Sequence, residues 1–524
     1  MNHPLETKKK IFLLLIFSTL LRVALAFFLE FGNDEVYYWT YAQPLQWNYF
    51  DHPPMVALLI RLSTLNLHLH QELFVRGGAI GCAAINTWLI YLTGKRVAGE
   101  KAGWYAALLY TSSFYCSVIA GTFILPDSPQ VLFWVLGIYL LTRISSRQTG
   151  QREKDGLLLL SGLVFGLCIM SKIHGVFLWV GFGLYILFYD RKLLTRPALY
   201  GAIGITALVV SPILIWNMQN HYITYSFHNS RVGFFDKRLD WDSLLQQVLG
   251  SIAYNNPINF FLYVTGILGI LRNPGFMDRN RFRLFLLLGL PLILVLILVS
   301  LFNETLPHWS GPAYISLLLI AAVYFAKKNP DRERVPRGIP LANYLLLFVA
   351  IAGILLIRYL PFQLGKKEER TLGDGDITLD MTGWRFFSRE FSRLREEDIK
   401  TGRMPANAFV LSDKWFPAAN LDYYLASPLG LHLFVTGRLL DIHHYAWLNQ
   451  TRPRPEKGDD AYFIFPTNYY KAPVKDLLEH FERVDNPVRI AQYRSGIHVR
   501  DFVVIRLHGY KGGIPASGVT EENP

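Results

Sequence analysis

The chain has 524 residues, of which 52% are hydrophobic, 15% aromatic and 18% charged. This composition, with a mean hydropathy of +0.24, excludes a water-soluble protein of ordinary make-up. The formal net charge of +12 is expected of basic loops on one side of a membrane, and nucleic acid is not an expected partner. Three cysteines lie in apolar segments, Cys82, Cys116 and Cys168, so we expect buried thiols and no disulfide framework.

The N-terminal "MNHPLETKKK" precedes a long apolar run. That run exceeds the apolar region of a signal peptide and has no convincing cleavage site, so it predicts an uncleaved first transmembrane helix. Similar runs, about long enough to cross ~30 Å of hydrocarbon, recur along the chain. The predicted spans are 11–31, 74–93, 102–122, 129–143, 157–171, 174–190, 197–216, 257–272, 284–302, 311–326 and 340–360.

Loops rich in lysine and arginine alternate along the chain with loops that contain fewer of them. Lysine and arginine concentrate in the loops at 8–10, 94–101, 143–154, 189–196, 271–283 and 327–338. The positive-inside rule places those loops in the cytoplasm together with the N-terminus. About eleven spans, an odd number, then place the C-terminal region outside. We therefore expect a multi-pass protein of the bacterial inner membrane whose C-terminal region lies in the periplasm.

The region after the last predicted span changes character. It contains the Gly-rich "LGDGD", the charged helical "FFSREFSRLREEDIK" and the short β-rich runs "NAFVLSD", "DAYFIFP" and "FVVIRL". Alternating helix and strand signals predict a soluble α/β domain. The fold class is thus a polytopic α-helical membrane protein (residues 1–360) followed by an extracytoplasmic α/β domain (residues 361–524).

The first external loop, "GNDEVYYWTYAQPLQWNYFDHPPMVALLIRL", is dense in polar and aromatic residues. Asp34 and Glu35 follow the first span, and Asp51 and His52 precede a Pro-Pro pair that predicts the start of an amphipathic interfacial helix. An interfacial aromatic belt with solvated acids is one interpretation. Acids near an apolar boundary are costly unless they are paired or used, so we favour a functional site.

The second external loop, "FILPDSPQ", presents Asp127 between two prolines. One interpretation is a helix cap, since Asp is common at that position. Beside Asp34, a second carboxylate on the same side of the bundle suggests a shared base role, binding of substrate hydroxyls, or a shared divalent metal. These alternatives stay open at the sequence level.

Later external loops carry isolated cations and histidines. Lys172 and His174 lie in "SKIHGVF", and His308 lies in "TLPHWSGPAY". His228 and Arg231 lie in "SFHNSRVG". A lysine at a span end also fits snorkelling to the interface. Together, however, these side chains fit ligands for an anion such as a phosphate.

The residue mix places a candidate site at the outer membrane face. Carboxylates serve base catalysis, cations hold a phosphate, and aromatic side chains such as Tyr37 and Tyr38 stack on sugar rings or isoprenoid. Nucleotide sugars are not supplied on that side, so no nucleotide or organic cofactor is expected. A lipid-phosphate-linked sugar fits both the location and the chemistry, and membrane lipids are the surrounding partners.

Five ordered motifs carry a family resemblance: "NDEVYYW…YFDHPPMVALL", "LPDSPQ", "SKIHGVF", "PILIWNMQNHYITYSFHNSRVG" and "TLPHWSGPAY". Together they resemble the bacterial GT-C glycosyltransferases of family 39 and the ArnT-like (aminoarabinose transferase) group, whose relatives include protein O-mannosyltransferases. The resemblance implies a GT-C fold, a polyprenyl-phosphate sugar donor and an inverting transfer outside the cytoplasmic membrane. It places the catalytic acid at Asp34, beside Glu35, and the second-loop acid at Asp127. Where the aminoarabinose branch carries an arginine, this chain has Tyr37, which leaves the sugar open.

The implied chemistry agrees with first principles. One carboxylate must deprotonate the acceptor hydroxyl, of a glycan, lipid or protein, as it attacks the anomeric carbon. The leaving phosphate needs cations, and Lys172, Arg231 and His308 are the candidates.

Two rival functions are weaker. A secondary transporter or lipid-carrier flippase would place ionisable groups near the bilayer midplane and show internal repeats. A sugar-binding receptor would leave the acid-rich loops unexplained.

Overall fold

The computed structural model describes residues 3–146, 148–232, 238–328, 330, 334–469 and 475–514. Contacts divide the chain into two compact units. The first comprises Met1–Ala26 and Leu45–Ala350, and the second comprises Phe27–Pro44 and Ile351–Pro524. The start of the first external loop therefore groups with the C-terminal region. The predicted division at residue 360 into catalytic and periplasmic domains stays a prediction.

Helices make up most of the chain before residue 360. They are α1 (His3–Phe28), α2 (Asn33–Tyr41), α3 (Met55–Ser63), α4 (Glu72–Ala98), α5 (Glu100–Ser112), α6 (Asp127–Ile144), α7 (Gln151–Ser171), α8 (Phe177–Tyr189), α9 (Pro197–Gln219), α10 (Ile223–Val232), α11 (Trp241–Tyr254), α12 (Pro257–Arg272), α13 (Arg279–Ser300), α14 (Gly311–Lys328) and α15 (Gly338–Tyr359).

Among the described residues, seven of the helical segments are long and apolar enough to cross a membrane. They are Glu6–Phe28, Glu72–Ala98, Gln151–Ser171, Pro197–Gln219, Arg279–Ser300, Pro307–Lys328 and Gly338–Tyr359. Ile173–Tyr189 and Pro257–Arg272 are shorter apolar segments. The predicted multi-pass character is thereby confirmed, and the count of eleven is not. All three cysteines are buried and free, in agreement with their apolar surroundings.

The helix predicted after the Pro-Pro pair is present as α3. It turns Val56, Ala57 and Ile60 inward and leaves Leu58 and Leu62 exposed. An exposed apolar edge on a helix beside membrane spans is the pattern expected of an interfacial segment.

The span predicted at 102–122 differs most from the structure. Helix α5 ends at Ser112, and a π-helical turn follows at Tyr115–Ile119. Serine hydroxyls compete here for backbone groups, which favours a break in a helix: Ser117 Oγ donates to the Thr111 carbonyl at 2.6 Å, and the Cys116 N–H donates to Ser113 Oγ at 3.3 Å. The break lies just before the second external loop.

Small residues bring α7 and α9 close together. A Cβ added at Gly162 would lie 2.6 Å from the Ala202 Cα, and Thr206 Oγ1 donates to the Gly162 carbonyl at 2.6 Å. Close backbone approach at small residues is the usual way that helices associate in lipid. A 3₁₀ turn, Ile173–Val176, then folds back onto the end of α7, where a Cβ at Gly175 would lie 2.5 Å from the Cys168 carbonyl carbon. This packing fixes the position of Lys172 between them.

The second unit contains a six-stranded mixed sheet in its described residues. The strands are β1 (Phe409–Ser412), β2 (Leu433–Val435), β3 (Ala461–Pro466), β4 (Phe481–Val484), β5 (Val488–Arg494) and β6 (Ile497–Tyr510). β2, β1 and β3 run parallel, whereas β6 pairs antiparallel with β3, β4 and β5. Its helices are α16 (Trp384–Lys400), α17 (Trp415–Leu421), α18 (Ser427–Leu429), α19 (Leu439–Ile442), α20 (Tyr445–Thr451) and α21 (Lys475–Glu479).

The predicted α/β character of this region is confirmed. The three β-rich runs form β1, β3 and β6, and the charged stretch forms α16. Helix α16 packs on the sheet through Phe387, whose ring stacks on Phe502 at 4.3 Å. The "LGDGD" turn uses its glycines for left-handed backbone, with φ of +87° at Gly373 and +84° at Gly375, which other residues adopt at a cost.

Candidate active site

The two acids of the first loop lie in the first turn of helix α2, in different environments. The Glu35 side chain is buried and accepts the Gly32 N–H at 3.0 Å, which is half of a capping box. Asp34 is exposed in the same first turn. Carboxylates are stabilised near a helix N-terminus. Of the two acids, Glu35 is thus committed to holding the helix, and Asp34 is the one presented to the surroundings.

The aromatic residues of α2 are buried in the second unit. The Tyr37 ring lies 4.9 Å from Trp415 and 5.9 Å from His443. Its hydroxyl accepts the His444 N–H at 3.3 Å. Tyr38 is also buried. Tyr37, predicted as a substrate ligand, thus packs against the C-terminal region. Tyr38, also predicted as a ligand, packs against Tyr37 and Tyr41 of its own helix. Contact of either tyrosine with substrate stays a prediction.

Polar contacts fix the chain just before α2. The Phe31 N–H donates to the Tyr424 hydroxyl at 2.7 Å, and Asn33 Nδ2 donates to the Tyr469 hydroxyl at 3.0 Å. Glu30 accepts the Trp384 N–H at 2.7 Å and so caps α16. The helix with Asp34 is therefore positioned by the backbone of Trp384 and the side chains of Tyr424 and Tyr469, which no local sequence pattern indicates.

Asp127 and Lys172 form a buried ion pair in the first unit. Lys172 Nζ lies 2.8 Å from Asp127 Oδ2, and their side chains are 3% and 2% exposed. Asp127 is the first residue of α6, and Lys172 follows the last residue of α7. The sequence places no acidic residue near Lys172, so this pairing is a finding of the structure. A buried ion pair of this kind is costly to break, because the remaining charge has no solvent.

Tyr115 completes the environment of Asp127. Its hydroxyl donates to Asp127 Oδ1 at 2.8 Å, so each carboxylate oxygen accepts a hydrogen bond. Tyr115 is the first residue of the π-helical turn, and such turns are frequent at functional sites. Sequence reasoning missed Tyr115, since a tyrosine inside an apolar run gives no signal of a distant partner.

Three predicted histidines lie near this ion pair. His52, His174 and His308 all lie within electrostatic range of both Lys172 and Asp127. His174 packs at 5.6 Å from Trp309, and His308 at 5.9 Å from Tyr254. We call Asp127, Lys172, His52, His174 and His308 the lysine cluster. Residues from four separate loops thus lie near one another, and their predicted external side stays a prediction.

Burial holds the pKa of His52 well below its usual value, and the charge of Lys172 lowers it further against the opposing effect of Asp127. His52 is therefore neutral at pH 7, and its ring offers one donor and one acceptor. His174 Nδ1 is buried with no hydrogen-bond partner among the described residues. A neutral imidazole with an unused ring nitrogen suits a polar ligand better than an apolar core.

His228 extends the lysine cluster toward α10. Its Nε2 lies 2.8 Å from the Asp51 carbonyl oxygen, which assigns the proton to Nε2, and its ring lies 6.1 Å from His52. Thr224 Oγ1 also donates to the Tyr49 carbonyl at 3.1 Å, so α10 holds the Asp51–His52 loop at two points. The predicted Arg231 belongs to α10, but its side chain lies outside the described residues.

A metal site was an open alternative for Asp34 and Asp127. Among the described residues, no group of three or more His, Cys, Asp or Glu side chains has an arrangement that could hold a metal ion. Asp127 already neutralises Lys172. The described residues therefore do not fit a metal, and no chemistry is derived through one.

Comparison with known proteins finds similar chains. Residues 51–216 match the family model described as dolichyl-phosphate-mannose-protein mannosyltransferase. The chain is 25% identical over 429 residues to the lipid A galacturonosyltransferase RgtD of Rhizobium johnstonii, which covers 80% of this chain and 85% of the relative.

Solved structures give the fold. ArnT from Cupriavidus metallidurans bound to undecaprenyl phosphate superposes with a TM-score of 0.62 at 13% identity, covering 95% of this chain and 98% of that one. Its apo form gives 0.60 at 12% identity with the same coverage. These similarities favour the glycosyltransferase prediction over the transporter or flippase alternative. The chain is a multi-pass membrane glycosyltransferase, and its fold is that of the ArnT structures.

Proposed function

We propose that the protein is an inverting glycosyltransferase that moves a sugar from a polyprenyl-phosphate-linked donor to an acceptor hydroxyl. The transfer takes place at the periplasmic face of the bacterial inner membrane, with the N-terminus in the cytoplasm and residues 361–524 in the periplasm. Within this proposal, residues 1–360 supply the catalytic machinery. The lysine cluster carries the proposal, because a buried lysine among neutral histidines suits a phosphate.

Lys172 binds the donor phosphate. Its ammonium has three donors, and among the described residues one hydrogen bond is made, to Asp127. Two N–H groups remain for the oxygens of the leaving phosphate, at a site of low dielectric where such contacts are strong. His52, His174 and His308 contribute neutral donors around it. His228 and Arg231 are further ligands in this proposal, and Asp51 orders the loop.

Asp127 acts through Lys172. Because both of its oxygens already accept hydrogen bonds, from Tyr115 and Lys172, it is poorly placed to take another proton. Its proposed role is to hold the ammonium at a fixed position and to keep it charged. This makes Asp127 a positioning residue and refines the catalytic role expected from the sequence.

Asp34 is the proposed base. The acceptor O–H gives its proton to the Asp34 carboxylate while the oxygen bonds to the anomeric carbon. The bond from that carbon to the donor phosphate breaks, and its electron pair leaves with the phosphate. Attack from the face opposite the leaving group inverts the anomeric configuration. Glu35 caps the N-terminus of α2. The packing of Tyr37 and Tyr38 orients the helix that carries Asp34.

The relatives indicate the substrate class. RgtD is named for galacturonosyl transfer to lipid A, and the ArnT structure contains undecaprenyl phosphate. For this chain we infer the shared class, a polyprenyl-phosphate sugar as donor and a lipid, glycan or protein hydroxyl as acceptor. The identities of the sugar and the acceptor are open to experiment.

The test is donor turnover by the full-length protein in liposomes. Synthetic polyprenyl-phosphate sugars, including galacturonic acid, aminoarabinose, mannose and glucose, are supplied with a bacterial envelope lipid extract, and mass spectrometry follows the donors. We expect one donor to yield free polyprenyl phosphate and a new glycoside of inverted configuration. Transfer from a nucleotide sugar, with every lipid-linked donor left intact, would contradict the proposal.

A further inference from the structure

A polar cleft of about 610 Å³ lies in the second unit, and Asp34 is not among the described residues that line it. It is lined by the end of α15, the start of α16 and the end of β5. Its volume falls within the roughly 300–1,000 Å³ typical of small-molecule sites. Nothing in the proposed transfer uses it.

The lining of this cleft is strongly basic. Arg358, Arg385 and Arg389 line it, against a single carboxylate, Glu30. That carboxylate is already engaged, because it accepts the backbone N–H groups of Trp384 and Arg385 at 2.7 and 3.3 Å. The cleft therefore has an excess of positive charge that Glu30 does not balance.

Two of the arginines carry no compensating acid. Within the described ranges, Arg358 and Arg389 make no ion pair, whereas Arg393, one turn further along α16, pairs with Glu390 at 2.9 Å. Arg358 instead lies 5.8 Å from the rings of Phe28 and Tyr359. A planar guanidinium group can donate two parallel N–H hydrogen bonds to two oxygens of one phosphate.

The place of the cleft along the chain selects the ligand. Arg358 lies in the last turn of the apolar helix α15, and Phe28 is the last residue of the apolar helix α1. Both helices are long and apolar enough to cross the membrane. Arginine and aromatic residues at the ends of spans lie at the level of lipid headgroups. A phosphate carried by a lipid is therefore the anion within reach.

We propose that this cleft binds the headgroup of an anionic glycerophospholipid, with Arg358 and Arg389 holding the phosphate. The site is separate from the donor chemistry, so it does not rest on the proposed function. It adjoins the helix with Asp34: Tyr424 lines the cleft and also accepts the Phe31 N–H at 2.7 Å, directly before α2. A bound headgroup thus reinforces the anchor of α2.

The experiment measures lipid binding by the full-length protein in detergent micelles. Native mass spectrometry compares phosphatidylglycerol with phosphatidylcholine, whose choline cancels the phosphate charge. The double variant Arg358→Gln/Arg389→Gln removes the phosphate ligands. The matched control Arg393→Gln/Arg483→Gln also removes two arginines, both on the surface of the same unit and outside the cleft.

We expect the wild type to retain phosphatidylglycerol in preference to phosphatidylcholine, and the cleft variant to bind it at least about tenfold more weakly, since each basic residue near an anionic lipid contributes severalfold. The control variant should retain the wild-type affinity. Equal loss in both double variants would overturn the proposal in favour of a general charge effect. If millimolar inorganic phosphate displaced the lipid, the cleft would be a site for free phosphate, and the proposal of a lipid headgroup would be wrong. Thermal unfolding of each variant, compared with the wild type, separates lost binding from lost folding.

Discussion

The lysine cluster and helix α2 handle charge in opposite ways. In the lysine cluster, Asp127 and Lys172 are almost fully buried, and each neutralises the other at 2.8 Å. On α2, Glu35 is buried against a backbone N–H, whereas its neighbour Asp34 is exposed. The lysine cluster thus contains a fixed charge pair that is shielded from solvent, whereas α2 presents one exposed carboxylate. Binding an anionic leaving group suits the first, and taking a proton suits the second.

Removal of one member of the buried pair should give the largest loss of stability. Lys172→Met leaves the Asp127 carboxylate buried and unpaired, which costs about 3–5 kcal/mol of unfolding free energy. Thermal unfolding in detergent measures it, and donor turnover should fall to background. The exposed pair Lys366–Asp374, at 2.7 Å, provides the control. Exposed ion pairs contribute little to stability, so Lys366→Met should unfold close to the wild-type temperature.

A double variant sharpens this result. Lys172→Met with Asp127→Leu removes both charges, so most of the stability should return while turnover stays absent. Recovery of turnover would contradict the role of Lys172 as a phosphate ligand. If Lys172→Met had the same unfolding temperature as the wild type, the Asp127–Lys172 ion pair would make no contribution to stability, contrary to the account.

Tyr115→Phe should have the next largest effect. It removes the hydroxyl that donates to Asp127 Oδ1 at 2.8 Å, and hydrogen bonds to charged groups are worth about 1.5–3 kcal/mol. We expect an unfolding temperature below that of the wild type and a lower turnover, since Asp127 then holds Lys172 less firmly. The exposed Tyr344 gives a matched substitution, Tyr344→Phe, that should change neither. Identical behaviour of the two variants would rule out a role for the Tyr115 hydroxyl.

Substitution of Glu35 should give the smallest loss of stability, and the loss should depend on the residue that replaces it. Glu35→Ala removes the side chain that caps α2 and should cost about 1 kcal/mol. Glu35→Gln keeps an acceptor for the Gly32 N–H, since glutamine also serves in a capping box, and should be close to wild type in stability. Unfolding measurements on the pair test this directly. Equal destabilisation by both replacements would show that the negative charge of Glu35, rather than its hydrogen bond, holds the helix.

Much of the architecture could be predicted because its signals are local. Apolar runs indicate membrane helices, and the Pro-Pro pair precedes α3. Glycines in "LGDGD" adopt the left-handed backbone that favours them, and alternating runs form β1, β3 and β6. Each of these depends on neighbours within a few residues, which a single sequence displays.

The candidate site was predicted in part. The loop pattern grouped Asp127, Lys172 and three histidines, because positive-inside topology constrains loops even when they are far apart in sequence, and the structure places them near one another. The side of the membrane on which they lie stays a prediction. It did not indicate that Lys172 pairs with Asp127, 45 residues away, or that Tyr115 completes the pair. Pairings of this kind depend on how helices pack, and hydrophobic periodicity contains no information about them.

The anchoring of α2 was also beyond the sequence. Asn33 contacts Tyr469, 436 residues further along the chain, and no local pattern connects them. As a result, the helix with the predicted base was assigned to the membrane domain, whereas its contacts group Phe27–Pro44 with the C-terminal region. This gives the C-terminal region a physical task in the proposed reaction, the positioning of Asp34.

The most direct test of the account is the initial rate of sugar transfer by Asp34→Asn in liposomes with saturating donor. The amide cannot take the acceptor proton, so the rate should fall by about 10²–10⁴-fold. The unfolding temperature should fall only slightly, because the variant keeps the shape of an exposed side chain and loses its charge at the N-terminus of α2. Asp374→Asn, the same substitution at an exposed carboxylate, should transfer at the wild-type rate. An Asp34→Asn protein that transfers as fast as the Asp374→Asn control would contradict the assignment of Asp34 as the base.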